Sequence, residues 1–310
     1  MGEVTDDGPK YLKYSTIPGY FVQDDPSTDP FTFDYTKSFG LISRSYDTDA
    51  DLSFAEQASQ WQRFAHHLSR LPSQTGHKSQ YKVLFLGRHG EGYHNVAQEF
   101  YGTAAWDGGL IRKYTKFKNA ESLQCYWSHL DGNATSTWSD AQLTLTGIAQ
   151  ASLASQTWAT EIRDHSMPAP TSYYSSPLIR CLQTAYHTFS PLKRLGLLPS
   201  PATSPFIPTI KELLREKIGV HTCDRRSTRS EIEEFWRAPA APLDFVFEKN
   251  FSEKDELWDS EMRETDVGLD RRSRAILDDL FTNDMSAWLS ISSHSGMIAS
   301  LLRGEDFRDS

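Results

Sequence analysis

Three short stretches of the chain place nitrogen donors directly after runs that read as β-strands. Arg88-His89-Gly90 follows VLFLG, Arg180 comes four residues after TSYYSS, and His294-Ser295-Gly296 follows WLSISS. Each turn leads into a helical pattern, and the unpaired N–H groups of a helix start favour an anion. Two guanidinium groups, two imidazoles and three helix starts on one rim suit a phosphoryl group. Carboxylates are absent from the three turns apart from Glu91. Taken singly, a histidine at a strand end is usually a satisfied polar residue, and a lone arginine is usually a surface ion-pair partner. It is their joint occurrence in three strand–turn–helix units that carries chemistry.

Open parallel sheets offer ligands the carboxyl ends of their strands, so the elements around these turns matter. YKVLFLG (81–87) is a short apolar run of the kind buried on both faces. A long helical pattern starts at Thr144, TSYYSS reads as a strand, and PLIRCLQTAYHTF as a helix with Pro177 near its first position. WLSISS (288–293) is a further strand before helical GMIASLL. Strands alternating with helices predict an α/β fold: three layers, α/β/α, with a mostly parallel central sheet and helices on both faces. Residues 1–80 are expected to form an arm and a helix that pack on a catalytic domain spanning 81–310. The arm is irregular and rich in turn residues, and its aromatics need a surface to pack on. Residues 51–71 carry helical spacing at Leu52, Ala55, Ala58, Trp61, Phe64 and Leu68, with Pro72 as the expected stop. Two intervals, about 100–140 and about 220–270, read as insertions.

Length and composition bound the possibilities. Three hundred and ten residues with 38% apolar content, 8 Trp, 13 Tyr and 17 Phe exclude collagen, coiled coil and wholesale disorder. A net charge of −9 argues against a nucleic-acid or anionic-membrane protein, so an anion must be held by a local cluster of cations. Cys125, Cys181 and Cys223 form no C-x-x-C pair, which argues against a disulfide framework or a structural zinc and for a reducing compartment. No apolar run approaches the ~18 residues of a membrane span. The acidic MGEVTDDGPK is unlike a signal peptide, Asp6 stands where a myristoylation motif wants Ser or Thr, and the sequons at Asn133 and Asn250 mean little without a secretion signal. The expected location is the cytoplasm.

RHGEGYHN (88–95) resembles the R-H-G-x-x-x-x-N signature of the histidine phosphatase superfamily, whose fold is phosphoglycerate mutase-like. Further segments resemble the family in order: LTLTG (143–147), SSPLIRCLQTA (175–185), LREKIG (214–219) and SSHSG (292–296). RHGEGYHNVAQEFYG and GVHTCDRR look most like its fungal and plant phosphoglycerate-mutase-family branch. The resemblance implies that His89 is a nucleophile carrying a phosphohistidine. Arg88, Arg180 and His294 would bind phosphoryl oxygens, and Asn95 would support the loop or touch phosphate. Glu216 would give a proton to the leaving oxygen and take one from water, with Glu212 and Asp224 as competitors. No metal or cofactor is implied, because fixed guanidinium donors meet the charge demand of phosphoryl transfer. Neighbouring arginines favour a neutral, nucleophilic imidazole, and a carboxylic acid that must carry a proton implies a mildly acid pH optimum. Arg225, beside Arg226, is a candidate for a second anionic group on the substrate, against a solvated charged face. Tyr93, Phe100, Tyr101, Trp106, Trp127 and Trp138 either wall a pocket or pack an insertion onto the core. His94 and His221 lie near these stretches and stay open.

After the second histidine's helix the family continues into another strand, whereas LLRGEDFRDS has no apolar tail to make one, so that C-terminal strand is expected to be missing. EKIGVHTCD also lacks the Tyr- and Gly-rich stretch of the mutases, which favours hydrolysis of a small phosphorylated metabolite over phosphoryl return. The competing readings are a phosphoglycerate-type mutase, and a pathway enzyme or binding module reusing the cationic pocket for another anion. An oxidoreductase is disfavoured because GRHGEG spaces its glycines G-x-x-G-x-G, and a serine hydrolase because SSHSG is no nucleophile elbow. Sugar phosphates, nucleotides and phosphorylated biosynthetic intermediates fit these residues alike, and the residues set no oligomeric state.

Overall fold

The computed structural model describes residues 12–52, 57–74, 79–107, 127–199, 206–237 and 242–303. Its centre is a five-stranded sheet in the order β1-β5-β2-β3-β4, parallel at every pairing. The strands are β1 (Val83–Arg88), β2 (Ser172–Ser175), β3 (Thr209–Ile210), β4 (Val246–Phe247) and β5 (Trp288–Ser293). The helices are α1 (Gln60–Gln74), α2 (Tyr93–Tyr101), α3 (Thr103–Asp107), α4 (Leu145–His165), α5 (Ile179–Arg194), α6 (Arg229–Arg237), α7 (Asp266–Asn283) and α8 (Ser295–Arg303). No described helix is long and apolar enough to cross a membrane.

Alternation along the strands sorts the core into two layers. Val83 and Phe85 of β1, Tyr173 of β2 and Trp288 of β5 face one side, packed by Trp61, Phe64 and Leu68 of α1, Trp158 of α4 and Leu182 and Phe189 of α5. Leu84, Leu86, Tyr174, Leu289 and Ile291 face the other, against Leu269, Ile276, Leu277 and Leu280 of α7 and Met297 and Leu301 of α8. The expected three-layer architecture is therefore present. The arm packs on the first layer: Phe39 meets Trp158 at 4.8 Å between ring centroids, and Tyr20 meets Phe64 at 5.3 Å.

Several boundaries differ from expectation. α1 begins at Gln60 rather than at 51 and runs through Pro72 to Gln74. Ahead of it, Asp47–Asp51 forms a 3-10 turn whose Asp49 carboxylate accepts from Tyr46 N and pairs with Arg63 of α1, so the turn lies against the helix instead of extending it. Pro72 lies inside the last turn and does not stop the helix before it. The interval 220–270 is not merely inserted: it holds β4, which joins the sheet beside β3. α7 covers the second face and has no counterpart in the sequence reading. Residues 108–126, nearly half of the other expected insertion, and 304–310 lie outside the described residues. Among those that are described, β1 and β4 are the edge strands.

Candidate active site

Strand register brings the three turns together. Arg88 pairs with Ser293 and Ser175 with Ser292, so β1, β5 and β2 end side by side. The ladder continues one residue further: His89 N donates to Ser293 O (3.0 Å) and Ser176 N to Ser292 O (3.0 Å). His89, His294 and Ser176 are thereby neighbours. The His89 and His294 rings stand 5.0 Å apart between centroids, and His294 Nε2 is 2.9 Å from Ser176 Oγ.

The loop after β1 is clamped by two helices. Thr144 caps α4 by accepting from Gly147 N, and its own N and Oγ1 donate to Glu91 O and Glu91 Oε1. Gly90 N donates to Thr184 Oγ1 of α5, and Glu91 N to Gln150 Oε1 of α4. A Cβ on Gly147 would sit 2.1 Å from Glu91 O, and one on Gly90 2.5 Å from Gly147 O, so only a glycine pair admits this approach. The L-T-x-x-G segment thus earns its spacing: the threonine ties the loop down and the glycine lets it in.

His89 is 7% exposed and its Nδ1 lies 2.7 Å from Gly90 O. A carbonyl accepts only, so Nδ1 carries the proton and Nε2 keeps its lone pair. Burial first, then the positive charge of Arg180, holds the ring well below the ordinary histidine range and keeps it neutral. Arg180 is 1% exposed. Its Nη1 donates to Cys223 O (2.6 Å), and its Nη2 to Asp224 Oδ1 (3.1 Å) and His294 Nδ1 (3.3 Å), while its enclosed Nε–H has no partner among the described residues. Because arginine only donates, His294 Nδ1 is an acceptor and the ring's proton belongs on Nε2, facing Ser176. His294 is 0% exposed, and burial together with Arg180 holds it well below the ordinary range too. Cys181 lies 3.3 Å from His294 Nε2, and burial pushes its thiol up to about 12, so it is a neutral neighbour.

The four phosphoryl-site residues read from the sequence therefore meet, but His89, Arg180 and His294 do so beneath the surface. Arg88 is the exposed member and bonds to no described residue. A cleft of about 530 Å³ opens beside this loop between Tyr93, Thr137, Ser139 and Gln142, and none of the four lines it. The helix starts also differ from expectation. Asp140 Oδ1 accepts from Ile179 N at the start of α5, and Glu216 Oε2 accepts from Gly296 N (3.0 Å) at the start of α8. Two of the three N-termini are thus capped by carboxylates that lie far away in sequence.

Asn95 supports the loop: its Oδ1 accepts from Gly92 N as a cap of α2. Glu216 lies in a loop rather than on a helix; its Oε1 accepts from Lys217 N, and a Cβ on Gly296 would fall 2.1 Å from that oxygen. Its competitors are engaged elsewhere: Glu212 pairs with Arg215 and Arg226, and Asp224 with Arg180 and Arg263. Arg225 is held by Asp131 (2.6 Å) and Ser139 and lies over the Trp258 ring, outside the imidazole cluster. Trp106 and Trp138 are buried with Ala97, Ala141 and Cys223, and Tyr101 stacks on Trp127 at 3.8 Å, so these aromatics pack the insertion; Tyr93 lines the cleft. His94, which the sequence left open, proves to be part of the cluster, its ring 5.4 Å from that of His89. His221, Cys223 and Asp224 approach one another closely enough to suggest cation ligands. However, two guanidinium groups already hold Asp224, and burial keeps the Cys223 thiol protonated, so the set does not suit a cation.

A family model described as the histidine phosphatase superfamily (branch 1) matches residues 127–304. A "Probable phosphoglycerate mutase" of Arthroderma benhamiae is 48% identical over 292 residues, covering 94% of this chain and 78% of that protein. "Probable phosphoglycerate mutase PMU1" of Saccharomyces cerevisiae is 32% identical over 299 residues, covering 94% and 89%. Among solved structures, an alpha-ribazole phosphatase from Shigella flexneri is 17% identical, covers 71% of this chain and 77% of its own, and has a TM-score of 0.36.

Proposed function

The chain belongs to the histidine phosphatase superfamily, and on that premise we propose that it hydrolyses small phosphomonoesters through a phosphohistidine on His89, with no metal in the chemistry. The observation that carries this reading is the 2.7 Å contact from His89 Nδ1 to Gly90 O, which leaves Nε2 unprotonated in a ring kept neutral by burial and by Arg180. A neutral imidazole fixed in that tautomer is an activated nucleophile at neutral pH.

In the first half-reaction Nε2 attacks phosphorus, the bond to the ester oxygen breaks, and Glu216 gives that oxygen a proton. In the second, water attacks phosphorus, Glu216 takes its proton, and the N–P bond breaks to release inorganic phosphate. Arg88, exposed at the end of β1, meets the incoming dianion. Arg180 brings an unpaired Nε–H that stabilises charge on the equatorial oxygens, and His294 would add a donor only by giving up its Ser176 hydrogen bond. Glu216 is preferred over Glu212 and Asp224 because its carboxylate alone of the three is paired with no arginine among the described residues. A second anionic group on the substrate would have to displace Asp131 from Arg225.

The names of the curated relatives favour a second reading, a mutase that returns the phosphoryl group to an organic acceptor. The two part on one assay. Phosphate release is followed from a panel of sugar, nucleotide and carboxylic-acid phosphomonoesters in EDTA, for the wild type and His89→Ala. Release that survives EDTA and vanishes in the variant supports hydrolysis. Isomerisation without release supports the mutase, and equal release by both proteins removes His89 from the reaction.

A further inference from the structure

His94 occupies a free position of the R-H-G-x-x-x-x-N pattern, yet it is the third imidazole of the site. It is the second residue of α2, 7% exposed, and electrostatically in reach of Arg180, Arg88 and His89. Neither ring nitrogen bonds to a described residue, and Nδ1 is fully enclosed. The ring lies on the backbone of Gly92, where a Cβ would come 2.7 Å from Nδ1. Gly92 has φ −105°, which any residue adopts, so a glycine stands there to admit the imidazole and not to relieve the backbone.

Packing does not account for a histidine at this place. An apolar side chain could pack here without leaving a polar atom unpaired, and unpaired buried polar atoms are costly. Burial and the adjacent arginines keep the imidazole neutral, so it carries one N–H. Nδ1 has no acceptor to receive it, and an enclosed orphan donor is rarer than an orphan acceptor. The proton therefore belongs on Nε2, the nitrogen that is not enclosed.

We propose that His94 is a phosphoryl-binding residue, its Nε2–H donating to an oxygen of the group that His89 receives, beside Arg88 and Arg180. This rests on the reading of His89 as a phosphoryl acceptor. It adds a donor that keeps its hydrogen bond for the ligand, whereas the imidazole of His294 already spends both nitrogens on Arg180 and Ser176.

The test uses the intact protein with orthovanadate and inorganic phosphate as probes, their affinities measured by calorimetry. Gln places an amide near the Nε2 position, Asn places one near Nδ1, and Phe supplies none. His94→Phe and His94→Asn are expected to weaken orthovanadate about 10- to 100-fold, and His94→Gln to stay within about threefold. His94→Phe should unfold no more easily than wild type, which separates a ligand role from a packing role. Wild-type binding that all three variants match overturns the role of His94 and leaves the reading of His89 standing. A wild type that binds neither anion overturns both. Should Phe or Asn misfold, ¹⁵N-histidine spectra of the wild type decide. An Nε2–H tautomer whose signal moves on adding phosphate is expected, and an Nδ1–H tautomer or an unmoved signal refutes the proposal.

Discussion

Replacing His294 by glutamine changes how stability depends on pH, and the size of the change follows from where the ring sits. His294 is fully enclosed, with Arg180 on one nitrogen and Ser176 on the other. Burial first and Arg180 next hold it well below its ordinary value of 6.5. In the unfolded chain the same ring takes up a proton near 6.5; in the native protein it does not. As pH falls through 6.5, the unfolded state gains a proton that the native state refuses, so stability is lost. The loss continues until the depressed native value is reached. Between about pH 7.5 and about pH 5.5 one such ring accounts for about 1.4 kcal/mol. Urea unfolding of wild type and His294→Gln at both pH values measures it, because titrations elsewhere cancel in the difference. The wild type should lose about 1.4 kcal/mol more than the variant over this interval, with equal m-values. A gap that does not change with pH would refute a neutral, enclosed His294, and with it the electrostatic description of the site.

Gly147→Ala drives a Cβ into the Glu91 carbonyl, a backbone atom that cannot rotate away. Destabilisation of about 1–3 kcal/mol is expected, with phosphate release falling about 100-fold as the His89 loop lifts from α4; thermal unfolding and a phosphate assay on one preparation check both. Asp224→Asn leaves Arg180 buried beside an uncharged group and should cost about 3–5 kcal/mol by denaturant titration. Arg225→Ala, which breaks the partly exposed pair with Asp131, should cost less than about 1 kcal/mol in the same titration. Glu216→Gln keeps one acceptor oxygen, for Gly296 N, and loses the one that serves Lys217 N, so it should fold with a loss of about 1–3 kcal/mol. Its rate on alkyl phosphates should drop about 10²- to 10⁴-fold, and far less on an aryl ester whose leaving group needs no proton; equal losses on both would remove Glu216 as proton donor.

What the sequence revealed and what it concealed have physical reasons. β1, β5 and α4 were legible because a buried parallel strand is a near-continuous apolar run and because Thr144 is a strong cap. Their turns were legible because His89, Arg180 and His294 are the wrong residues to leave at strand ends without a purpose. α7 was missed because its buried face of Leu269, Ile276, Leu277 and Leu280 is diluted by the charges of DRRSR, and a charged stretch reads as solvated. β3 and β4, two residues each, lie below what any periodicity detects. The caps on α5 and α8 were invisible for another reason. Asp140 and Glu216 reach them across 39 and 80 residues, and separation of that kind leaves no local pattern. The burial of Arg180 was likewise hidden, since it depends on Asp224 and Cys223 arriving from the charged interval after residue 220. His94 had a signal that was available: a histidine where the signature leaves the position free, two residues after a glycine.

The covalent step is the point on which the account turns. The protein is mixed with a hydrolysed phosphomonoester in EDTA, quenched in alkali within a turnover, digested and sequenced by mass spectrometry. An acid-labile phosphoryl group on the peptide holding His89, absent from His89→Ala and from enzyme without ester, is the predicted result. Turnover in the wild type with no phosphate ever found on that ring, or with the phosphate on another residue, would contradict it.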